Sequence, residues 1–147
     1  SLRRLKPLNP LPNGERPMIH NLGTKTTLGS LLPTLSRTAN ANGTGFDLQG
    51  SNDAEGEAVV ILDCGAATAG TNPTYNVKLQ DSADNSAFTD VTDATFEEVT
   101  STASQQKISF NANDVRRYVR AVATIGGTSS PAFTASVTLL FSKKYGN

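Results

Sequence analysis

The sequence predicts an all-β protein, an antiparallel β-sandwich or jelly roll with an extended N-terminal arm. About seven or eight short apolar runs of strand length are separated by clusters of Gly, Pro, Asn, Asp and Ser. No segment has a convincing helical pattern, and regularly spaced leucines open the chain. We therefore expect an arm over residues 1–38 and a sandwich body over residues 39–147.

The opening segment, SLRRLKPLNPLPNG, has a leucine at every third position and prolines between the leucines. Interior prolines disfavour a helix, whereas a polyproline II ribbon would place these leucines along one edge. Ordering such a segment costs about 1–2 kcal/mol per residue, so its leucines must be buried on something. We expect the arm to dock in an apolar groove of a neighbouring molecule; the alternative is a disordered proline-rich leader. The leucines are Leu2, Leu5, Leu8 and Leu11.

Residues 16–37 are expected to be irregular or short-stranded. Their leucines match helical spacing, but Pro33 falls inside the pattern and limits a helix to a single turn. These leucines are Leu28, Leu31, Leu32 and Leu35.

The body begins after a polar linker, and its first strong strand signal is the continuous apolar run from Ala58 to Leu62. Such a run predicts a strand covered on both faces, because it is central or because the arm lies over its outer face. Other strands are predicted by alternation at Phe46 and Leu48, at Tyr75, Val77 and Leu79, and at Ile108 and Phe110.

Two alternating runs between Arg116 and Phe141 flank a Gly-Gly-Thr-Ser-Ser-Pro break, which predicts an antiparallel hairpin in the middle of the core. The inward positions are Val119, Ala121, Ala123 and Ile125 on one run, and Phe133, Ala135, Val137, Leu139 and Phe141 on the other. The opposite face has Arg116, Tyr118 and Arg120 on the first run and Thr134, Ser136 and Thr138 on the second, a polar and aromatic surface suited to protein contact.

Charge is distributed unevenly along a chain whose formal net charge is zero. Residues 1–38 contain six Lys or Arg and one Glu, a charge of +5, and residues 39–147 have a charge of −5. Arg3, Arg4 and Lys6 are interleaved with leucines and not with aromatic residues, so an acidic protein surface fits them better than nucleic acid.

No apolar stretch has the length of a membrane span, and no secretion signal is recognised. We expect the chain to act in the cytoplasm where it is made, or in something assembled there.

No catalytic, cofactor, metal or small-molecule site is expected. The single histidine, His20, lies in the predicted arm, and the single cysteine, Cys64, ends an apolar run and is expected to be a buried hydrophobe. Asp81, Asp84 and Asp90 lack the glycine and the closing Glu of an EF-hand calcium loop. Asp81, Ser82, Asp84 and Asn85 are interpreted as turn formers that bond their own backbone. Glu97 and Glu98, with Asp90 and Asp93, are interpreted as a solvated acidic face, because no tryptophan is present to form a sugar platform.

The segments VKLQDSADNSAFTDV and RRYVRAVATIGGTSSPAFTASVTLLF resemble the capsid cement, or head-decoration, proteins of tailed bacteriophages. The similarity covers roughly Phe46 to Phe141, and it is most specific in "QDSADNSAF" and "RRYVRA…GGTS". It implies a non-enzymatic virion protein, made in the host cytoplasm, that binds the capsid exterior and bridges adjacent capsomers. The implied partners are the major capsid protein and further copies of the chain, as a trimer rather than a dimer.

Two other functions remain open at this point. The chain could be another virion component, such as a tail or head-completion protein, which would assemble into rings or tubes. It could also be a carbohydrate-binding β-sandwich displayed on a virion, for which Tyr118 and Tyr145 are the outward-facing tyrosines.

Overall fold

The computed structural model describes residues 22–50 and 52–143, and their fold is an antiparallel β-sandwich. A helical turn, α1 (Leu22–Lys25), precedes the first strand, and a 3-10 turn (Ala112–Asp114) precedes the last. The strands are β1 (Thr26–Arg37), β2 (Ala41–Asn42), β3 (Phe46–Asp47), β4 (Ala54–Cys64), β5 (Ala69–Ser82), β6 (Thr89–Thr95), β7 (Ser104–Asn111) and β8 (Tyr118–Lys143). The predicted two-layer, all-β architecture is confirmed.

The two layers share the longest strand, β8, which has 26 residues. Its first part pairs with β5 on one side and with the short β2 and β3 on the other; with β6 beyond β5, these strands form sheet B. Its last part lies between β1 and β4, and with β7 beyond β4 these strands form sheet A. Every strand pair is antiparallel, as a sandwich with an alternating inward apolar face requires.

The hairpin predicted between Arg116 and Phe141 is wrong. The first run pairs with residues 75–82 of β5, and the second pairs with β1 and β4, so the two runs lie in different layers. The intervening residues carry the chain from one layer to the other, with Gly127, Ser129 and Ser130 at positive φ. The predicted inward faces are nevertheless correct, because both runs turn their apolar side chains toward the space between the sheets.

Residues 26–37, predicted to be irregular or short-stranded within the arm, form the twelve-residue strand β1. The register shifts between Ser30 and Leu32 and again between Leu32 and Leu35. These bulges let the adjacent Leu31 and Leu32 both be buried, which strict alternation forbids. The body therefore contains a strand that the predicted boundary at residue 38 assigned to the arm, and residues 1–21 lie outside the described residues.

The core lies between the sheets and is aliphatic and aromatic. The rings of Tyr75 and Phe133 have centroids 5.3 Å apart, and Phe46 packs edge-on to Phe141 at 5.6 Å. Cys64 is buried among these residues as predicted. The central place of β4 is confirmed by its pairing with β7 and β8, whereas the expected cover on both of its faces is absent within the described residues.

Contacts at both edges nearly close the sandwich into a flattened barrel. At one edge, the side-chain amide of Gln106 on β7 accepts a hydrogen bond from Glu97 N at 2.8 Å and donates one to Glu97 O at 2.9 Å, just beyond β6. At the other edge, Gly43, between β2 and β3 of sheet B, lies so close to β1 of sheet A that a side chain there would collide with the carbonyl oxygen of Leu31. Both seams therefore depend on contacts between the layers.

Candidate interaction surfaces

The described residues contain no group of three or more His, Cys, Asp or Glu side chains placed to hold a metal ion. Asp84 is a turn former, as predicted: its Oδ1 accepts hydrogen bonds from the backbone N–H groups of Ser86 and Ala87, both at 2.9 Å. Burial raises the pKa of the Cys64 thiol to about 11, with a further contribution from the charge of Asp63, so the thiol stays neutral and unreactive. His20 lies outside the described residues.

On the outer face of sheet B, Arg116 is bound to its own chain. Its Nε and Nη2 donate to Asp81 Oδ1 at 3.0 and 2.8 Å, and its backbone N–H donates to Asp81 Oδ2 at 2.9 Å. Nη2 also donates to the backbone oxygen of Asp81 and to the Thr89 hydroxyl. Burial raises the pKa of Asp81, but the hydrogen bonds from Arg116 outweigh it and hold the pKa below the usual value.

Arg120 is also bound within the same face. Its Nε and Nη2 donate to Gln80 Oε1 at 2.9 and 2.7 Å, and its guanidinium carbon lies 4.0 Å from the centroid of the Phe88 ring. Gln80 in turn donates to Asp90, which also accepts from Lys78 at 2.9 Å. These hydrogen bonds hold the pKa of Asp90 below its usual value. The side chains form one connected network across β5, β6 and β8.

Tyr118, the third predicted contact residue of this face, is half-buried at the start of β8. The neighbouring Arg117 makes two hydrogen bonds to Asp47, at 3.0 and 2.9 Å, and its guanidinium carbon is 5.2 Å from the Tyr118 ring centroid. The described aromatic rings of this face, Phe88 and Tyr118, are thus each approached by a guanidinium group. Tyr145 lies outside the described residues.

The outer face of sheet A differs, because aliphatic side chains on three adjacent strands face away from the core. Leu28 on β1 lies opposite Leu140 on β8, which lies opposite Val59 on β4. Ile61 is in the next row of the same face, opposite Thr138. Leu28 is 67% exposed and Ile61 38% exposed, while Val59 and Leu140 are half-buried. We call these four residues the aliphatic patch.

Polar and charged side chains border the aliphatic patch. Glu57 and Asp63 are exposed on β4, two residues before Val59 and two residues after Ile61, and so share its face. Neither makes an ion pair with another described residue. Lys107 on β7 lies opposite Ile61. An apolar centre with a charged rim is typical of a protein contact surface.

Of the interaction residues that the sequence predicts, the structure brings Arg116, Tyr118 and Arg120 together on sheet B and satisfies the two arginines internally. The others, Leu2, Arg3, Arg4, Leu5, Lys6, Leu8 and Leu11, lie outside the described residues. Sequence reasoning missed the aliphatic patch, although the uninterrupted apolar run of β4 was a signal that this strand carries apolar residues on both faces. The pairing with Leu28 and Leu140 depends on strand register, which the sequence does not reveal.

No family model and no curated protein sequence matches the chain. Solved structures similar to the chain include a protein of infectious bursal disease virus, Gx strain, with a TM-score of 0.45 and 12% identity over 84% of this chain. The chain spans about a third of the length of that viral protein, 33%.

Two further structures are similar to the chain. One is a protein of the Bacillus endospore appendages, which are disulfide-linked pili, with a TM-score of 0.39 and 15% identity over 82% of this chain and 90% of its own. The other is a family 29 carbohydrate-binding module from Piromyces equi, with a TM-score of 0.36 and 9% identity over 81% of this chain and 93% of its own. Among the described residues no helix has the length and apolarity needed to cross a membrane.

Proposed function

We propose that this chain is a structural virion protein, a cement or decoration protein that binds the outside of an assembled bacteriophage capsid and bridges neighbouring capsomers. The observation that carries the proposal is the aliphatic patch, an outward apolar surface on a sheet whose other face forms the core. An apolar surface with a charged rim is typical of a protein contact site. That the assembly to which the chain contributes is a capsid rests on the resemblance of the "QDSADNSAF" and "RRYVRA…GGTS" segments to phage cement proteins.

A protein of this kind needs no reaction to stabilise a shell. If it binds the assembled lattice and not the free capsid subunit, mass action shifts the assembly equilibrium toward the closed shell. Residues 1–14 that tie each copy to its neighbour would raise the effective affinity, because linked copies engage the shell together. We therefore propose a non-enzymatic role on the capsid exterior, with the major capsid protein and other copies of this chain as partners.

The polar face of sheet B favours this role over carbohydrate binding. Sugar rings stack on open aromatic faces, whereas Arg120 lies over Phe88 at 4.0 Å and Arg117 lies 5.2 Å from Tyr118. The polar groups beside these rings are bonded within the chain: Arg120 donates to Gln80, which donates to Asp90. Arg117, beside Tyr118, donates to Asp47. A glycan would have to displace these contacts before it could bind.

The test is binding to DNA-filled heads prepared without this protein. We expect the purified chain to sediment with the heads to saturation, to be absent from fractions of unassembled capsid protein, and to raise the temperature at which the heads rupture. Deleting residues 1–14 should reduce occupancy at a fixed protein concentration at least about tenfold, because copies that are no longer tied to one another bind the shell singly.

Several results would contradict the proposal. Failure of the intact chain to sediment with heads would reject capsid binding, and rings or tubes in negative-stain images would assign the chain to a tail or head-completion role. Specific signals on a glycan array would revive carbohydrate binding. Undiminished occupancy after the deletion would reject the role of residues 1–14 alone.

A further inference from the structure

We propose that the aliphatic patch of one copy is covered by the leucine-bearing segment, residues 1–14, of a neighbouring copy. This inference deepens the proposed function and rests on it, because an exchange of segments between copies is useful to a protein that ties an assembly together. The two partners in the exchange are a surface on the described body and a segment that precedes it in the same sequence.

The start of β1 places the preceding chain close to the patch. Thr26 lies opposite Ser142 at the edge of sheet A, and Leu28, the outermost member of the patch, follows two residues later. In α1, Gly23, Thr24 and Lys25 are exposed, so the chain enters β1 along the surface of the body. The 21 residues before Leu22 can span up to about 70 Å, which is enough to reach the same face of an adjacent copy.

The spacing of the leucines in the opening segment matches the spacing of the patch. In a polyproline II ribbon, residues three apart are separated by about 9 Å along the axis. Leu28 and Val59 occupy one row two strands apart, and strands lie about 4.8 Å from each other, so their separation is also about 9–10 Å. If residues 1–14 formed such a ribbon across the strands, successive leucines would contact the row of Leu28 and Val59 and the neighbouring row of Ile61.

The charges at the two partners are complementary. Residues 1–14 contain Arg3, Arg4 and Lys6 and no acidic residue. Glu57 and Asp63 border the patch without an ion pair among the described residues. Lys107 lies on the β7 side of the patch and Lys25 directly precedes β1, and neither makes an ion pair with Glu57 or Asp63. Cations at the start of the segment would therefore meet acidic groups that have no other described partner.

Cysteine cross-linking between two separately labelled chains tests the exchange. One isotope-labelled chain carries Asn9→Cys, between Leu8 and Leu11, and an unlabelled chain carries Ser109→Cys, which lies opposite Val59. The native Cys64 is buried and does not compete. After the two chains are refolded together and mildly oxidised, we expect disulfide-linked pairs of mixed label by mass spectrometry. The matched control replaces Ser109→Cys with Thr124→Cys, an exposed position on the first part of β8, in sheet B.

Mixed-label pairs that form with Ser109→Cys and not with Thr124→Cys would establish the exchange. A chain carrying both Asn9→Cys and Ser109→Cys distinguishes a segment that folds back on its own body. If that chain forms only an internal disulfide while separate chains form none, the patch is covered in cis and the proposal is overturned. Equal linking to both sheets, or none at all, would overturn it as well.

Substitutions in the patch give an independent measurement. Leu28→Ser removes the most exposed apolar residue of the patch, and we expect it to weaken self-association at least about tenfold by analytical ultracentrifugation. The matched control is Leu35→Ser, on the same strand and 56% exposed but seven residues further along. Its association should equal that of the unaltered chain, and thermal melts show whether both variants are folded. Equal effects of the two substitutions would reject the patch as the contact.

The two proposals fail in different ways. Cross-linked copies that do not sediment with heads would leave the segment exchange standing and reject capsid binding. Copies that bind heads normally but show no mixed-label linking would leave capsid binding standing and reject the exchange.

Discussion

Individual aspartates on the surface of this protein are held in their charged form by neighbouring groups. The side chain of Arg117 lowers the pKa of Asp47, and the backbone N–H groups of Ala87 and Ser86 lower that of Asp84. Among the three ion pairs of the described residues, Asp81 is the least exposed carboxylate, with 13% of its side chain accessible, and its hydrogen bonds with Arg116 offset the cost of burying its charge. These aspartates couple the stability of the fold to pH.

Because each of these carboxylates has a lower pKa in the folded state, its stabilising effect is complete above the unfolded aspartate pKa of about 3.9 and is lost as the pH falls through the folded value. We expect a constant melting temperature between about pH 5 and 7 and a steep fall below about pH 4. Asp81→Asn should cost about 1 kcal/mol at pH 7 and less at pH 3, since the charge-assisted bonds of Arg116 are lost.

The measurement is urea unfolding of the variant and the unaltered chain at a series of pH values. Asp63→Asn is the control, because Asp63 is exposed and makes no ion pair with the described residues. If Asp81→Asn and the unaltered chain lose stability in parallel as the pH falls, the assigned role of Asp81 is wrong.

At this scale the sequence predicts which way a side chain points better than what it contacts. The inward places of Tyr75 and Phe133, the turn at Asp84 and the outward place of Arg120 all follow from local alternation and turn chemistry. The pairing of Arg116 with Asp81, 35 residues earlier, depends on how β5 and β8 align. No local sequence pattern reveals how these two strands align.

At the scale of elements, the largest difference from the sequence-based prediction is β8. A glycine pair between two alternating strands normally predicts a hairpin, since a short loop returns the chain to its neighbour in the same sheet. Here the Gly127–Pro131 segment carries the chain onward into the other layer instead. The apolar faces of both runs are the same in the two arrangements, so alternation alone cannot distinguish them.

Gly127 is the position in this crossing that tolerates a side chain least. Its φ is +109°, and a Cβ atom there would lie 2.8 Å from Asn72 O and 2.9 Å from Thr71 O. We expect Gly127→Ala to lower the free energy of unfolding by about 2–3 kcal/mol, through backbone strain and overlap together. Urea denaturation measures the effect.

Gly56→Ala is the matched control for the crossing. Gly56 also has a positive φ, +77°, but a Cβ atom there would have no neighbour within 4 Å, so only the strain of about 1 kcal/mol should remain. Equal losses for the two variants would mean that close packing at the crossing contributes nothing.

The strand β1 shows a second limit of local patterns. Its leucines fit neither a simple strand nor a helix, because two bulges change which residues face the core. Leu31 and Leu32 are buried side by side, whereas Leu28 and Leu35 are exposed. The bulges are set by the partner strand β8, and the aliphatic patch could be recognised only after that pairing was known.

For the molecule as a whole, the contact between β7 and the residues just beyond β6 determines whether the two sheets open separately or remain joined as a nearly closed barrel. Gln106 substitutes for a backbone partner by making two hydrogen bonds to Glu97. We expect Gln106→Ala to cost about 1–2 kcal/mol and to increase amide hydrogen exchange in β6 and β7, while exchange in the centre of β8 stays unchanged.

Gln105→Ala provides the comparison for this prediction. Gln105 is the exposed neighbour of Gln106, and its side chain makes no hydrogen bond with the described residues. Its replacement should therefore change neither the free energy of unfolding nor the amide hydrogen exchange. Faster amide hydrogen exchange throughout the molecule after Gln106→Ala would contradict this prediction, because the contact would then stabilise the whole fold and not only β6 and β7.

The 26 residues of β8 run without interruption through both layers. A force that pulls on the outside of sheet A is therefore transmitted along covalent bonds into sheet B, and the layers cannot slide apart unless ladders of hydrogen bonds on both sides of β8 are sheared together. Because many bonds share such a load, the body is suited to resist tension.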